Sequence, residues 1–193
     1  MKMTNIDFFE FVYLWMYLQG LGVPAHQRKI ARWLSRLWTS PVGRRGLLMA
    51  FRNSGKSTLV GLFCAWVLYR SPETRILVMA ADYALAKKMV RNVKRIIERH
   101  PLTSGLKPEK AEQWASDQFT VNRPIELRDP SMLAKGLGAN ITGLRADLII
   151  CDDVEVPKTC DTALKRAELR SRLDELDYIV TPGGIQLYIG CLL

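Results

Sequence analysis

The run Ala50-Phe51-Arg52-Asn53-Ser54-Gly55-Lys56-Ser57-Thr58 follows an apolar stretch, Leu47 to Phe51, and opens an apolar helical pattern, Leu59 to Tyr69. A buried strand, a short glycine-bearing loop and a buried helix, in that order, describe a phosphate-binding loop. Backbone N–H groups of such a loop converge on phosphate oxygens, and the helix that follows offers the positive end of its dipole. Lys56 is expected to reach the β- and γ-phosphates of a nucleotide, and the Ser57 hydroxyl to sit on Mg²⁺. Asn53, Ser54, Gly55 and Thr58 complete the expected cradle. The pattern departs from the usual one at its first position, where Ala50 stands in place of Gly.

A second motif answers the first. Leu148-Ile149-Ile150-Cys151-Asp152-Asp153-Val154-Glu155 is an apolar run ending in acids, the form of a Walker B strand. Asp152 is expected to hold Mg²⁺ near Ser57, and a second carboxylate to orient and deprotonate an attacking water. Asp153 occupies the usual position for that base, and Glu155 is nearby and longer; the sequence leaves both open. At least one predicted strand, Arg75 to Ala81, lies between the motifs. That insertion favours ATPases with an added catalytic carboxylate over small nucleotide kinases. No Asn/Thr-Lys-x-Asp guanine signature is present.

The remaining chain alternates between strand and helix patterns. Thr4 or Asn5 is expected to cap a first helix running to about Gln19, and Pro24 to start a second over Ala25 to Trp38. Asp82 caps a long amphipathic helix with Leu85, Met89, Val93, Ile96 and Ile97 inward. Phe119-Thr120-Val121 and Ile125 to Arg128 read as short strands, Gly136 to Gly143 as a connection, Thr162 to Leu176 as a charged helix, and Ile185 to Ile189 as a final strand. Alternation of this kind predicts an α/β fold, a mostly parallel sheet with helices on both faces, with ligands at the carboxyl ends of the strands. The expected division is an N-terminal helical extension over residues 1–42 and a P-loop ATPase core, of the additional-strand catalytic-glutamate type, over residues 43–193.

The 193 residues carry 28 Lys and Arg against 19 Asp and Glu, a formal charge of +9 that favours polyanionic partners, nucleic acid first. The four cysteines form no CxxC pair and there are only two histidines, which argues against structural zinc and against a disulfide scaffold. Ile6 to Leu21 is apolar, but it contains Asp7 and Glu10 and falls short of the ~20 residues a membrane span needs. A soluble, intracellular chain with no membrane partner is expected.

These residues resemble the large terminase subunit of tailed bacteriophages, the motor that packages DNA into capsids, and most closely its short-tailed-phage branch. The family's loop often lacks the first Gly and carries an Arg three places before Gly-Lys, as Arg52 does here. Thr142-Gly143-Leu144-Arg145-Ala146-Asp147, leading into Asp152-Asp153-Val154-Glu155-Val156-Pro157, is similar to that branch. His26-Gln27 lies where the family places an adenine-contacting Gln, and Gln186-Leu187-Tyr188-Ile189-Gly190 resembles its coupling motif, with Cys191 where the family has Thr.

The resemblance implies ATP hydrolysis with Mg²⁺, powering translocation of double-stranded DNA into a procapsid. It also implies a homo-oligomeric ring, portal protein and small terminase subunit as partners, and the host-cell cytoplasm as location. The family's nuclease domain is not in the chain, so an isolated motor domain without DNA cleavage is expected. A helicase-type ATPase shares both motifs, and a DNA-binding protein with a relict nucleotide pocket is the reading from another class.

Several side chains keep two readings. Arg52 would touch the γ-phosphate or brace the loop. Arg145 would project toward a neighbouring subunit as an arginine finger or pair with Asp147. Gln27 would contact adenine or lie solvated on its helix. The Lys87 to Arg99 face would be solvated, or would meet DNA phosphates or a portal. Trp33, Trp38 and Cys151 are expected in packing.

Overall fold

A computed structural model describes residues 6–191. Helix α1 (Phe8–Tyr17) opens on a capping box. The Asp7 carboxylate accepts from the Glu10 amide at 2.7 Å, and the Glu10 carboxylate accepts from the Asp7 amide at 2.9 Å. Asp7 therefore serves as the cap, while the expected alternatives, Thr4 and Asn5, lie outside the described residues. Helix α2 (Ala25–Thr39) follows Pro24, and strand β1 (Arg45–Ala50) leads through the glycine loop into helix α3 (Lys56–Arg70).

Strand β2 (Ile76–Ala80) is fully buried, and helix α4 (Tyr83–Arg99) starts on the Asp82 carboxylate, which accepts from the Leu85 amide at 2.9 Å. Then come β3 (Gln118–Phe119), β4 (Met132–Gly136), β5 (Ala146–Asp152), the one-turn α5 (Pro157–Cys160), α6 (Ala163–Asp174) and the long β6 (Val180–Cys191).

The strands form one sheet in the order β1-β6-β5-β2-β4-β3, parallel throughout except for β3 at the edge. Side chains alternate between its two faces. Ile76, Val78, Leu148, Ile150, Leu187 and Ile189 join the core beneath α1 to α4, whereas Leu77, Met79, Ile149 and Cys151 meet Leu169 and Leu176 on the face that carries α6. Both faces are covered, and so α3 is apolar on nearly all sides. The parallel α/β arrangement expected from the sequence is the one observed.

Three local expectations are corrected. Ile125 to Arg128 forms no strand; the Arg123 guanidinium donates to the Leu127 and Asp129 carbonyls at 2.9 and 3.0 Å and holds the segment as a loop. Met132–Gly136, unrecognised as a strand, pairs in parallel with β2 from Ile76↔Met132 to Ala80↔Gly136. Leu85, expected inward on α4, is 36% exposed, and Ala86 and Val90 take the core positions instead.

The N-terminal helices are tied to the layer below them. The Trp66 indole N–H donates to the Ile6 carbonyl at 3.1 Å, and α2 packs on α1 and α3, with Trp33 and Trp38 half-buried against the core. At the far end of α4 the buried His100 ring stacks on Phe11 with centroids 3.6 Å apart. Its Nε2 bonds the Phe11 carbonyl at 3.1 Å, and its Nδ1 accepts from the Leu102 amide at 3.3 Å, which fixes the Nε2–H tautomer. Among the described residues no helix is long and apolar enough to cross a membrane.

Burial holds the His100 imidazole below its ordinary range, and the bond to the Phe11 carbonyl offsets only part of that. The unfolded chain therefore takes up a proton that the folded chain resists, so this contribution is complete above the unfolded value of about 6.5 and is lost as pH falls below it. Thermal melts between pH 7.5 and pH 5 are expected to show a falling midpoint. In His100→Phe that acid-side decline should be shallower; an unchanged pH slope would contradict the assignment.

Candidate active site

The loop between β1 and α3 is built on two left-handed residues, Asn53 at φ 61° and Gly55 at φ 81°. Glycine suits the second, where the left-handed backbone is strained for other residues, and the tip of the Gln27 side chain lies 2.4 Å from where a Cβ would stand. Gln27 belongs to α2, and both its Nε2 and the His26 Nε2 reach the Ser54 carbonyl at 3.0 Å. The first turn of α2 is thus clamped onto the loop backbone, and Gln27 is half-buried rather than a solvated helix residue. The Ser54 side chain is buried with its Oγ unpartnered, as is Gln27 Oε1.

Lys56 begins α3 and is buried, and its Nζ donates to the Cys191 Sγ at 2.6 Å. Ser57 and Thr58 are exposed on the first turn of α3. Across from them β5 ends in Asp152, whose Oδ1 is buried with no hydrogen-bond partner. Burial first, and Asp153 second, push the Asp152 carboxyl up to about 6, against the pull of Lys56. Asp153 takes φ 44°, a left-handed geometry that Asp tolerates, and its amide donates to the Ile189 carbonyl at 3.0 Å.

A cleft of about 390 Å³ joins these elements, lined by Ser57, Thr58, Asp152 and Asp153 and, from α4, by Leu85, Lys88, Met89 and Asn92. Both sequence motifs therefore share one cleft at the carboxyl edge of the sheet. Glu155 is exposed and lines none of it.

Two predicted site residues stand apart. Arg52 is exposed on the loop and makes no hydrogen bond or ion pair among the described residues, so it neither braces the loop nor is held away from a ligand. Arg145 precedes the amino end of β5, a strand of seven residues and so about 20 Å from Asp152. Its expected pairing with Asp147 is not formed. Asp147 is taken by the Arg75 guanidinium at 2.9 Å and the Thr181 hydroxyl at 2.7 Å, while the Arg145 guanidinium turns to the Leu144 carbonyl.

Sequence reasoning missed His26 as a brace and the α4 side chains in the cleft. The visible signal for the latter was Leu85 and Lys88, one turn apart on the helix that follows the strand neighbouring β5.

The order of strands, with β6 inserted between the loop strand and the acidic strand, defines an α/β fold of the P-loop ATPase type. A likeness of fold is found to a solved complex of a S. cerevisiae dbp5 variant with nup159, a gle1 variant, IP6 and ADP. The match has a TM-score of 0.53 at 13% identity and covers 92% of this chain and 45% of that one. No family model matches the chain. In sequence it is 30% identical over 176 residues, 91% of its length, to the terminase large subunit of Enterobacteria phage T3. The chain is similar to that subunit and spans 30% of the subunit's length.

Gly55→Ala is expected to destabilise the fold by about 1–2 kcal/mol from the left-handed backbone alone, read in denaturant melts; stability equal to that of the parent chain would contradict the left-handed geometry at this position.

Proposed function

We propose that this chain binds ATP in the cleft between α3 and β5 and hydrolyses it by in-line attack of water on the γ-phosphate. We further propose that turnover drives double-stranded DNA, as in a phage packaging motor. The observation that carries the reading is the buried, unpartnered Asp152 Oδ1 facing the exposed Ser57 hydroxyl across a cleft beside a buried lysine. An orphaned buried carboxylate is costly unless a ligand completes it.

The donor set fits Mg²⁺. Among the described residues there is no cluster of three or more His, Cys, Asp or Glu, as a self-contained protein cage would need. One carboxylate and one hydroxyl beside substrate phosphates is the set Mg²⁺ prefers. Asp152 and Ser57 would hold the ion, which would supply positive charge to offset that of the phosphates.

The chain's own residues carry the remaining roles. Amides of residues 53 and 55–57, at the start of α3, would receive the phosphates, while the Ser54 amide stays on the Phe51 carbonyl. Lys56 Nζ would exchange Cys191 Sγ for β- and γ-oxygens, a charge-assisted contact stronger than the thiol can offer. Asp153, which lines the cleft, would take the proton of the attacking water; Glu155, exposed and outside it, would not. Arg52, free on the loop, would reach the γ-phosphate. Gln27 would pass its unpartnered Oε1 to the adenine amine while its Nε2 stays on the loop.

In this reading residues 1–42 form a helical segment that seats the loop, and residues 43–193 form the motor core. The motor works as a ring of copies in the host cytoplasm with portal and small-subunit partners. Arg145, remote from its own cleft, is the group that would serve a neighbour's.

Lys56→Ala is expected to cut phosphate release by roughly 10²–10³-fold with an unchanged melting temperature; retained turnover would reject the site. Asp153→Asn should lower turnover by roughly 10²-fold or more while Glu155→Gln leaves it within a few fold, measured as steady-state phosphate release. The reverse ranking would transfer the base to Glu155. ATP binding without phosphate release, with and without DNA, would leave a relict pocket as the answer.

A further inference from the structure

Helix α4 carries six basic residues and one acid, and the structure uses them unequally. The acid, Glu98, is turned onto Trp114, whose indole N–H donates to it at 2.7 Å. Lys94 donates to the Trp114 carbonyl at 2.7 Å, and Lys87 lies over the Tyr83 ring at 5.9 Å. The other four, Lys88, Arg91, Arg95 and Arg99, are exposed and take part in no ion pair, hydrogen bond or ring contact among the described residues. Their spacing puts them within one narrow stripe, one residue per turn over about 16 Å of helix. Like charges at that spacing repel, and no internal group relieves the repulsion.

We infer that this stripe is a docking surface for the phosphate backbone of duplex DNA, continuous with the nucleotide cleft. Charge complementarity selects a polyanion. Phosphates rise by about 3.4 Å along each strand of a duplex, so 16 Å of helix faces about five of them. A single strand would call for exposed aromatic platforms among the cations. The rings on and against α4 are already engaged, Tyr83 by Lys87 and by Asp117, to which its hydroxyl donates at 2.6 Å, and Trp114 by Lys94 at 5.1 Å and by Glu98.

Continuity with the cleft comes from Lys88, which both starts the stripe and lines the cleft, and from Asn92, whose amide donates to the Ser57 carbonyl at 3.5 Å. The stripe thus begins against the first turn of α3, where the cleft is. The choice of DNA as polyanion rests on the motor reading above; the location of the surface does not.

The second basic helix supplies a control. On α2, Arg32 and Arg36 line a recess with Asp7 and Phe9, with Arg32 over the Phe9 ring at 5.8 Å, and neither residue lines the nucleotide cleft.

The test uses the full chain, a short duplex and a single strand of the same length, with salt titrations of binding and with basal and DNA-stimulated ATPase. Arg91→Gln/Arg95→Gln is expected to weaken duplex binding roughly tenfold or more at 0.1 M salt and to reduce the logarithmic salt slope by about 2. DNA stimulation should fall with it and basal turnover stay as it was. Arg32→Gln/Arg36→Gln removes the same charge and should change binding less than threefold.

Equal losses in the two pairs, no loss in the α4 pair, tighter binding of the single strand, or no duplex affinity in the parent chain would each overturn the inference. In all of those cases lysine-dependent basal ATPase would leave the hydrolysis reading standing. Conversely, α4-dependent duplex binding without any ATP turnover would remove the motor and keep the surface.

Discussion

Everything at the carboxyl edge depends on where β6 runs. It pairs with β1 in the register Ala50↔Cys191 and with β5 in the register Asp152↔Ile189, so one strand sets the heights of the phosphate loop and of the acidic motif together. A slip of one residue in either ladder would turn Asp152 or Cys191 to the opposite face. The Ile185, Leu187 and Ile189 side chains are buried in the helical-layer core, which pins the register by the area each would otherwise expose. Lys56 then finds Cys191 and faces Asp152, which lies at the end of the next strand but one from its own loop.

The loop is held from the opposite side as well. Its Ser54 carbonyl accepts from α2, and α2 in turn rests on α1 and α3, so the helices before β1 serve the loop's geometry as well as the bulk of the core. A clamp on a carbonyl spends no loop amide itself, which is the arrangement an anion needs, and only the Ser54 amide is seen turned inward, donating to the Phe51 carbonyl at 3.3 Å. The same constraint explains the tolerance of Ala50 at the head of the motif. It closes β1 in regular strand geometry, and the left-handed turns fall later, at Asn53 and Gly55.

How far this was readable in advance follows the physics of each segment. Apolar runs and strongly periodic helices announce themselves, so β1, β2, β5, α2, α3 and the Asp82 cap were all legible, although β1, read as buried, is buried on one face only, with Leu47 and Met49 exposed. Met132–Gly136 was not: Lys135 and Gly136 dilute its pattern, and only pairing with β2 makes it a strand. Leu85 read as core because its spacing fits the apolar stripe, yet it falls where the helix leaves the sheet and borders the cleft. The shared cleft follows from two motifs legible as sequence. The braces His26 and Gln27 do not, because their bonds go to a backbone atom, and a backbone acceptor carries no signature in the sequence. Arg145 shows the opposite error. Nearness in sequence suggested Asp147 as its partner, but Arg145 precedes β5 and its guanidinium turns back to the Leu144 carbonyl, while Asp147 is taken by Arg75 beside the neighbouring strand.

The two sides of α4 complete the physical picture. Its apolar side, with Met89, Val93 and Ile97, is locked into the core, and it packs along α3 closely enough that Gly61 has room for no side chain beside Asn92. A helix held this tightly cannot bend easily between its ends, so a displacement at Lys88 must be carried toward Arg99 as a rigid shift or rotation. Its C-terminal end is held by the stacked Phe11–His100 pair, a contact with a segment outside the sheet, whereas its N-terminal end borders the cleft. Rotation about the His100 end would therefore be largest where a nucleotide would sit. The element best placed to sense occupancy is the same one that presents unpaired positive charge to the outside, and no second moving part is needed to connect them.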